Sequence, residues 1–285
     1  MANSDPVTAF LDAMAAAGMK PIEPIAGKLG KGLVRFRCGG DGPGRRNGWA
    51  VLHLDGRPAG AFGHYKMGIT ERWRSGSSDR LTPAERRALA RQYRETKKQR
   101  DAERLAMHEA TAADCARLWD LAAAADPSHP YLVRKCVAGE GLKQSGNRLF
   151  VPMLDDKGKI WNLQRIAPDG AKRFARGGRQ HGLYLILGHP GSTVLIAEGY
   201  STAASVRRAT GHAAVVAFSK DNLKATALSI NARWPDAEII ICADDDAHLV
   251  SNPRVQENLG VQAAEDAARA VGGRVAMPPR SNPHD

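Results

Sequence analysis

The chain has 285 residues, of which 43% are apolar and 25% charged, a composition typical of globular proteins with room for about two domains. No stretch of ~18 apolar residues is present, and the N-terminus lacks the basic region and apolar run of a secretion signal. The four cysteines are far apart and form no C-x-x-C pair, which argues against a disulfide framework or a structural zinc site. We therefore expect a reduced, cytoplasmic protein, with no membrane segment and no zinc.

Charge is distributed unevenly along the chain. Residues 1–189 contain 32 Lys and Arg against 19 Asp and Glu, a net charge of +13. Residues 190–285 contain 9 against 11, a net charge of −2. A basic body followed by a slightly acidic end is the pattern of an enzyme that binds a polyanion and holds a metal with carboxylates. Basicity that serves only solubility is the alternative, and charge alone does not separate the two.

Residues 1–80 predict a small α+β N-terminal module. A short amphipathic helix reaches to about residue 20, and short apolar and aromatic runs then alternate with glycine-rich turns up to Trp73. Four aromatic side chains of this module either form its core or offer a stacking surface to nucleic-acid bases: Trp49, Phe62, Tyr65 and Trp73.

The middle of the chain predicts a long helix and then a second β-rich segment. Residues 81–125 form a charged helical connector, because glycine is absent and Thr82-Pro83-Ala84-Glu85 is a capping-box start. Residues 126–190 form a basic β-rich subdomain, in which predicted strands at 148–154 and 159–166 flank an Asp-Asp-Lys-Gly turn.

The last segment, residues 191–285, changes to short strands that alternate with helices. Strand-like runs occur at 194–197, 213–217, 238–243 and 274–276. This alternation predicts an α/β domain: a small, mostly parallel four-stranded sheet with helices on both faces.

Acidic residues follow two of these predicted strands. Glu198 ends the first strand, and Asp244, Asp245 and Asp246 end the third. Ligands gather at the carboxyl ends of parallel strands, and an extended chain would point Asp244 and Asp246 to one side and Asp245 to the other. Carboxylates that lie close together repel one another unless a hard divalent cation such as Mg²⁺ binds them. We therefore predict a metal site at Glu198, Asp244 and Asp246, with a plain polar turn as the alternative.

These residues carry a resemblance to a known family. A strand ending in Glu198-Gly199, a helix, and a later strand ending in Asp244-Asp245-Asp246 resemble the TOPRIM domain of bacterial-type primases, topoisomerases and some nucleases. Segments 218–223 and 263–273 are similar to the branch found in phage and plasmid-encoded (conjugative) primases. Segment 163–174 resembles the basic segment that precedes the domain in those proteins.

The resemblance implies a DNA primase from a phage, a plasmid or another mobile element, which makes short RNA primers on single-stranded DNA from ribonucleoside triphosphates. It implies that Glu198, Asp244 and Asp246 are catalytic and hold Mg²⁺ or Mn²⁺, with Glu198 as a ligand or, through water, a general base. Asp245 is the weaker candidate.

Five further residues are expected to bind nucleotide or DNA. They are Arg165, Lys172, Arg173, Lys220 and Asn222. The first three precede the α/β domain, and the resemblance implies that they face the groove where template and nucleotide meet; a basic hairpin surface is the alternative. The last two follow the second strand of the domain, where they could touch a triphosphate or order the metal site; a plain turn is the alternative.

Partners and rival functions follow from the same pattern. No P-loop is present to indicate a fused helicase, so a separate replicative helicase or replication initiator is the expected partner. One rival is a TOPRIM metal-dependent nuclease, which needs the same carboxylates. The other is a non-catalytic single-stranded DNA-binding replication accessory protein.

Overall fold

The computed structural model describes residues 5–55, 57–75, 83–243 and 259–277. The chain divides into two compact units, Met1–Asp101 and Ala102–Asp285. The division falls inside the helix predicted as a connector. Among the described residues, no helix is both long enough and apolar enough to span a bilayer.

The first unit is a helix packed on an antiparallel sheet. Helix α1 (Pro6–Ala16) begins after Asp5, whose side chain accepts a hydrogen bond from the Thr8 backbone N–H at 3.2 Å. A 3₁₀ turn and four strands in the order β1-β2-β3-β4 follow, and the chain then enters the 39-residue helix α2. Their bounds are Ala26–Lys28, β1 Val34–Phe36, β2 Gly48–His53, β3 Ala59–His64, β4 Ile69–Arg74 and α2 Pro83–Leu121.

Alternation along the strands separates the two faces of this first sheet. In β2 every second residue from Gly48 is buried, and the residues between are half-buried. The buried face packs against Phe10 and Met14 of α1, and Phe10 contacts Phe62 edge to face at 5.6 Å. Trp73 also packs against Phe10, at 5.3 Å. The opposite face is not part of this core.

The second unit begins with another antiparallel sheet, of order β5-β6-β7-β8-β9. The predicted hairpin is present as β7 and β8, and its turn is stabilised by Asp155, whose carboxylate accepts the backbone N–H groups of Lys157 and Lys159 at 3.0 Å. Gly158 adopts φ 78° in this turn. The elements are β5 Ala123–Ala124, α3 Pro130–Lys135, β6 Lys143–Ser145, β7 Arg148–Leu154, β8 Ile160–Ile166 and β9 Lys172–Phe174.

A mostly parallel sheet completes the second unit. Strands β11, β12, β13 and β14 pair in parallel, as the sequence predicts. The sheet has five strands rather than four, because β10 adds an antiparallel edge to β12. The sequence of β10 is only three residues long, too short to show a strand period. The elements are β10 Leu185–Leu187, β11 Thr193–Ala197, α4 Tyr200–Thr210, β12 Ala213–Val216, α5 Lys220–Arg233, β13 Glu238–Cys242, α6 Leu259–Val271 and β14 Arg274–Ala276.

The parallel sheet is covered on both faces. Along β11, Val194 and Ile196 belong to a core with α5 and α6. Leu195 and Ala197 belong to a second core, which α4 shares with β7 and β8. Because both faces are buried, the loops at the ends of the strands are where polar groups of this sheet can meet a ligand.

Candidate functional site

The carboxyl ends of three neighbouring parallel strands meet at one edge of the sheet. Strand β11 lies between β12 and β13, and Ala197 at its end pairs with Val216 on one side and Cys242 on the other. The Ala217 N–H donates to the Ala197 carbonyl at 2.8 Å, which ties the ends of β11 and β12 together. Glu198 is therefore held at the centre of this edge. We call it the carboxyl edge.

Two helices begin at the carboxyl edge. Helix α4 follows Glu198 directly, with Gly199 as its N-cap, and α5 follows β12, with Ser219 as its N-cap. Neither N-cap residue makes a side-chain hydrogen bond to the first turn of its helix. Unsatisfied N–H groups at a helix N-terminus, together with the helix dipole, favour a bound anion. The alternation of strands and helices is predicted from the sequence, whereas the missing side-chain caps are not.

The chain enters α5 through a strained residue. Phe218 is buried and has φ 70°, in the left-handed region that non-glycine residues seldom adopt. It turns the chain from the end of β12 into the N-cap of α5. Lys220, the first residue of α5, is half-buried and is thereby brought to the carboxyl edge.

Lys172 lies beside Gly199, the residue after Glu198, although 27 positions separate Lys172 from Gly199 in sequence. The Lys172 ammonium is 3.6 Å from the position that a Cβ would take at Gly199. Glu198 itself is half-buried. A carboxylate and an ammonium thus share the edge with two helix N-termini, an arrangement suited to a metal-bound polyphosphate.

The aspartates predicted to complete the metal site, Asp244 and Asp246, lie outside the described residues, as does Asp245. Asp244 is the second residue after the end of β13 and directly follows Ala243. Oxygen donors of the type present at Glu198 fit Mg²⁺ or Mn²⁺, which prefer carboxylate and water ligands.

The three basic residues expected at one groove are divided between two faces of their sheet. Lys172 pairs with Ile166, which is buried in the core shared with the parallel sheet. Arg165 pairs with Arg173 and with Phe150, which packs in the cluster that contains Cys115 of α2. Since neighbouring residues of a strand point to opposite faces, only Lys172 of the three shares its sheet face with the carboxyl edge.

Asn222 is buried, and its side-chain amide is hydrogen-bonded within the protein. Its Oδ1 accepts the Gly182 N–H at 2.7 Å, and its Nδ2 donates to the carbonyls of Leu183 and Ala217 at 2.8 Å. The residue is 4% exposed. Asn222 therefore fastens the segment before β10 to the end of β12, next to the carboxyl edge.

A group of Cys, Asp and His side chains occurs in the first unit. Ligand atoms of Cys38, Asp41 and His64 lie within 4.8 Å of one another. The Asp41 carboxylate and the His64 ring already have partners within the protein: Asp41 accepts from the Cys38 backbone N–H and contacts His64 Nε2 at 3.2 Å, while the Met67 N–H donates to His64 Nδ1. Burial, and then the charges of Asp41 and Glu23, raise the pKa of the Cys38 thiol to about 11. We interpret the group as a polar clamp between two turns.

Comparison with known proteins agrees with the architecture of the second unit. Residues 193–283 match the Toprim domain. Two proteins named DNA primase TraC, both from Escherichia coli, are similar to most of the chain. One is 36% identical over 253 residues, which are 86% of this chain and 24% of that protein. The other is 38% identical over 244 residues, 82% of this chain and 17% of that protein. The chain thus spans about a quarter or less of these relatives.

Among solved structures, the chain is similar to the primase fragment of the bacteriophage T7 primase-helicase protein, with 15% identity and a TM-score of 0.39. The match covers 51% of this chain and 63% of that chain. The DnaG catalytic core matches with 10% identity and a TM-score of 0.37, over 62% of this chain and 72% of that chain. These scores are too low to carry an argument.

We predict that Asn222→Ala lowers the free energy of unfolding by about 2 to 3 kcal/mol, because three backbone groups lose their buried partner. Urea unfolding followed by circular dichroism measures this. Asn231→Ala, on the same helix, is the matched control and should cost less than about 1 kcal/mol. Unchanged stability of Asn222→Ala together with weaker nucleotide binding would instead place Asn222 at the substrate.

Proposed function

We propose that this chain, which carries a Toprim domain, is a DNA primase that makes short RNA primers on single-stranded DNA. The observation that carries the proposal is the carboxyl edge, which Glu198 shares with the N-termini of α4 and α5 and with the Lys172 ammonium beside Gly199. Similarity to proteins named DNA primase supports the choice of reaction. We place the reaction in the cytoplasm and the gene on a phage, plasmid or other mobile element.

The proposed reaction joins a primer 3′-hydroxyl to a ribonucleoside triphosphate. The hydroxyl oxygen forms a bond to the α-phosphorus, the bond from that phosphorus to the bridging oxygen breaks, and pyrophosphate leaves. Bound Mg²⁺ or Mn²⁺ would assist the deprotonation of the hydroxyl and neutralise charge on the phosphates. Glu198, Asp244 and Asp246 would hold the metal, and Glu198 could also accept the hydroxyl proton through a water.

The remaining groups of the carboxyl edge would bind the triphosphate. The N–H groups at the start of α4 and α5 can donate to phosphate oxygens, and the dipoles of both helices favour the negative charge. Lys172 and Lys220 would add point charges at the same edge. Such donors are fixed by the fold before substrate arrives, which is the condition under which electrostatic stabilisation is most effective.

Arg165 and Arg173 would contact DNA rather than nucleotide. They lie in one cross-strand row of the antiparallel sheet, away from the face of Lys172. Arginine binds phosphate oxygens through two N–H groups, so a row of arginines suits a nucleic-acid backbone. We also propose a replicative helicase or replication initiator as the partner that brings the protein to its template.

A Toprim nuclease is the second candidate, because cleavage of a phosphodiester needs the same carboxylates and metal. A protein that binds single-stranded DNA without catalysis is the third. The products separate the three: labelled ribonucleotides become longer chains on a single-stranded template, the template is cut, or neither occurs.

We predict that Glu198→Gln, Asp244→Asn and Asp246→Asn each lower primer synthesis by at least about a hundredfold. Affinity for single-stranded DNA should stay equal or rise, since each change removes negative charge. Incorporation of labelled ribonucleotides and fluorescence anisotropy measure the two effects. Asp245→Asn is the matched control and should keep most activity. A large loss of DNA affinity in the first three variants would make these residues structural.

We predict that Lys172→Ala raises the KM for ribonucleotides about tenfold, because it removes a cation beside Gly199. Arg173→Ala is a control that neighbours it in sequence, points to the other sheet face and should leave this KM within about twofold. Steady-state kinetics with saturating template make the comparison. Equal effects of both substitutions on nucleotide KM would contradict the assignment of Lys172 to the edge.

We predict that chelation with EDTA stops synthesis, and that Mg²⁺ or Mn²⁺ restores it, without a change in the thermal unfolding midpoint. The proposed metal binds at the edge of a folded sheet, so its removal leaves the core intact. Differential scanning fluorimetry with and without EDTA tests this. A lower midpoint in EDTA that Cys38→Ser abolishes would show that the polar clamp holds a structural metal.

A further inference from the structure

The sheet of the first unit has one face outside the α1 core. Cross-strand pairing aligns its side chains in three rows. Arg35, Trp49, Gly63 and Thr70 form the first row, Val51, Ala61 and Arg72 the second, and His53, Ala59 and Arg74 the third. We call these ten residues the open face.

Small residues form the floor of the open face. Ala59, Ala61 and Gly63 run down its middle strand, between larger side chains of β2 and β4. A Cβ at Gly63 would lie 2.9 Å from the indole of Trp49, so the indole lies across this glycine. The floor is therefore apolar, with the indole over Gly63 and open space for a flat group over Ala59 and Ala61.

Cations surround this floor. The open face and the first part of α2 enclose a cavity of about 1080 Å³, lined by five arginines and a single acidic residue. The acid, Asp55, is paired with Arg100. Arg72, Arg74 and Arg94 form no ion pair with any residue that the structure describes. The cavity thus carries a positive charge that the described part of the protein does not neutralise.

Aromatic rings lie at both ends of the cationic surface. At one end the guanidinium of Arg35 stacks 4.5 Å from the ring of Tyr65, which is 6.0 Å from Trp49. At the other, Tyr93 of α2 lines the cavity and is 66% exposed. An exposed ring on a cationic surface can stack on a base while the arginines bind phosphates.

We infer that the open face, together with Tyr93 and Arg94, binds a short stretch of single-stranded DNA outside the catalytic site. Duplex DNA would use only the arginines, since its bases are already stacked and paired, whereas the apolar floor and exposed rings suit unpaired bases. The choice of DNA over RNA rests on the proposed function. The three rows are two residues apart along each strand, so they cover four residue steps. At ~3.3 Å per residue they span about 13 Å, enough for two or three nucleotides.

The test is anisotropy of a labelled 12-nucleotide single strand of mixed sequence, with the full chain in EDTA at several salt concentrations. Arg72→Ala/Arg74→Ala should weaken binding roughly tenfold at 0.15 M salt and lower the slope of log K against log salt by about 1.4. Tyr93→Ala should weaken binding about fivefold or more, and Tyr93→Phe should not. Circular dichroism establishes that each variant is folded.

A double variant with the same loss of charge provides the control. Arg91 and Arg117 also lie on α2 but pair with Glu95 and Asp114 and do not line the cavity. If Arg91→Ala/Arg117→Ala reduces affinity and salt slope as much as Arg72→Ala/Arg74→Ala, the open face is not the binding site. Equal or tighter binding of a 12-bp duplex or a matching RNA would overturn the choice of ligand.

EDTA makes this measurement independent of catalysis. If the chain makes no primers but binds the strand as described, the proposed function fails and the open face stands. If primers are made and the open-face variants bind the strand normally, the proposed function stands and the open face is not the binding site.

Discussion

Parallel pairing of β11 between β12 and β13 is the constraint on which the candidate site depends. Because three successive strands run in one direction and are covered on both faces, their carboxyl ends can lie only at one edge. Crossover helices α4 and α5 must then start at that edge, each with its N–H groups facing outward. A carboxylate placed directly after β11 is thus surrounded by positive dipole ends as a result of topology, before any basic side chain is considered.

The carboxyl edge contains groups that favour ligands of opposite charge. Glu198 favours a cation, whereas the helix N-termini and Lys172 favour an anion, so neither a metal ion alone nor a phosphate alone satisfies all of them. A triphosphate with its metal does, because it presents cation and anion together. The lysine comes from β9 of the preceding sheet, which packs against the parallel sheet through one shared core.

Sequence patterns predicted the parts of this structure that local chemistry determines. The β7–β8 hairpin follows from Asp155 and Gly158, and the parallel strands follow from short apolar runs between helices. Strand β10 was missed because three residues have no period. The sheet face to which Arg165 and Arg173 point depends on the register in which β8 pairs with β7 and β9. No local sequence pattern encodes that register. The bonds of Asn222 to Gly182, Leu183 and Ala217 were not predicted, because an Asn after a strand has the same sequence signal whether it binds a ligand or the backbone.

The uneven charge of the chain suits the proposed function, in which binding of a nucleic-acid strand and chemistry at a carboxylate site need opposite charges. Carboxylates that hold a metal repel a nucleic-acid backbone whenever the metal is absent, so cations for strand binding are best placed away from them. Residues 1–189 supply those cations in excess, while residues 190–285 are close to neutral. Phosphate contacts carry no sequence information, so a basic surface on another unit can raise affinity without constraining which base is copied. In this arrangement the carboxyl edge determines which nucleotide is added, and the basic residues of 1–189 determine the affinity for the strand.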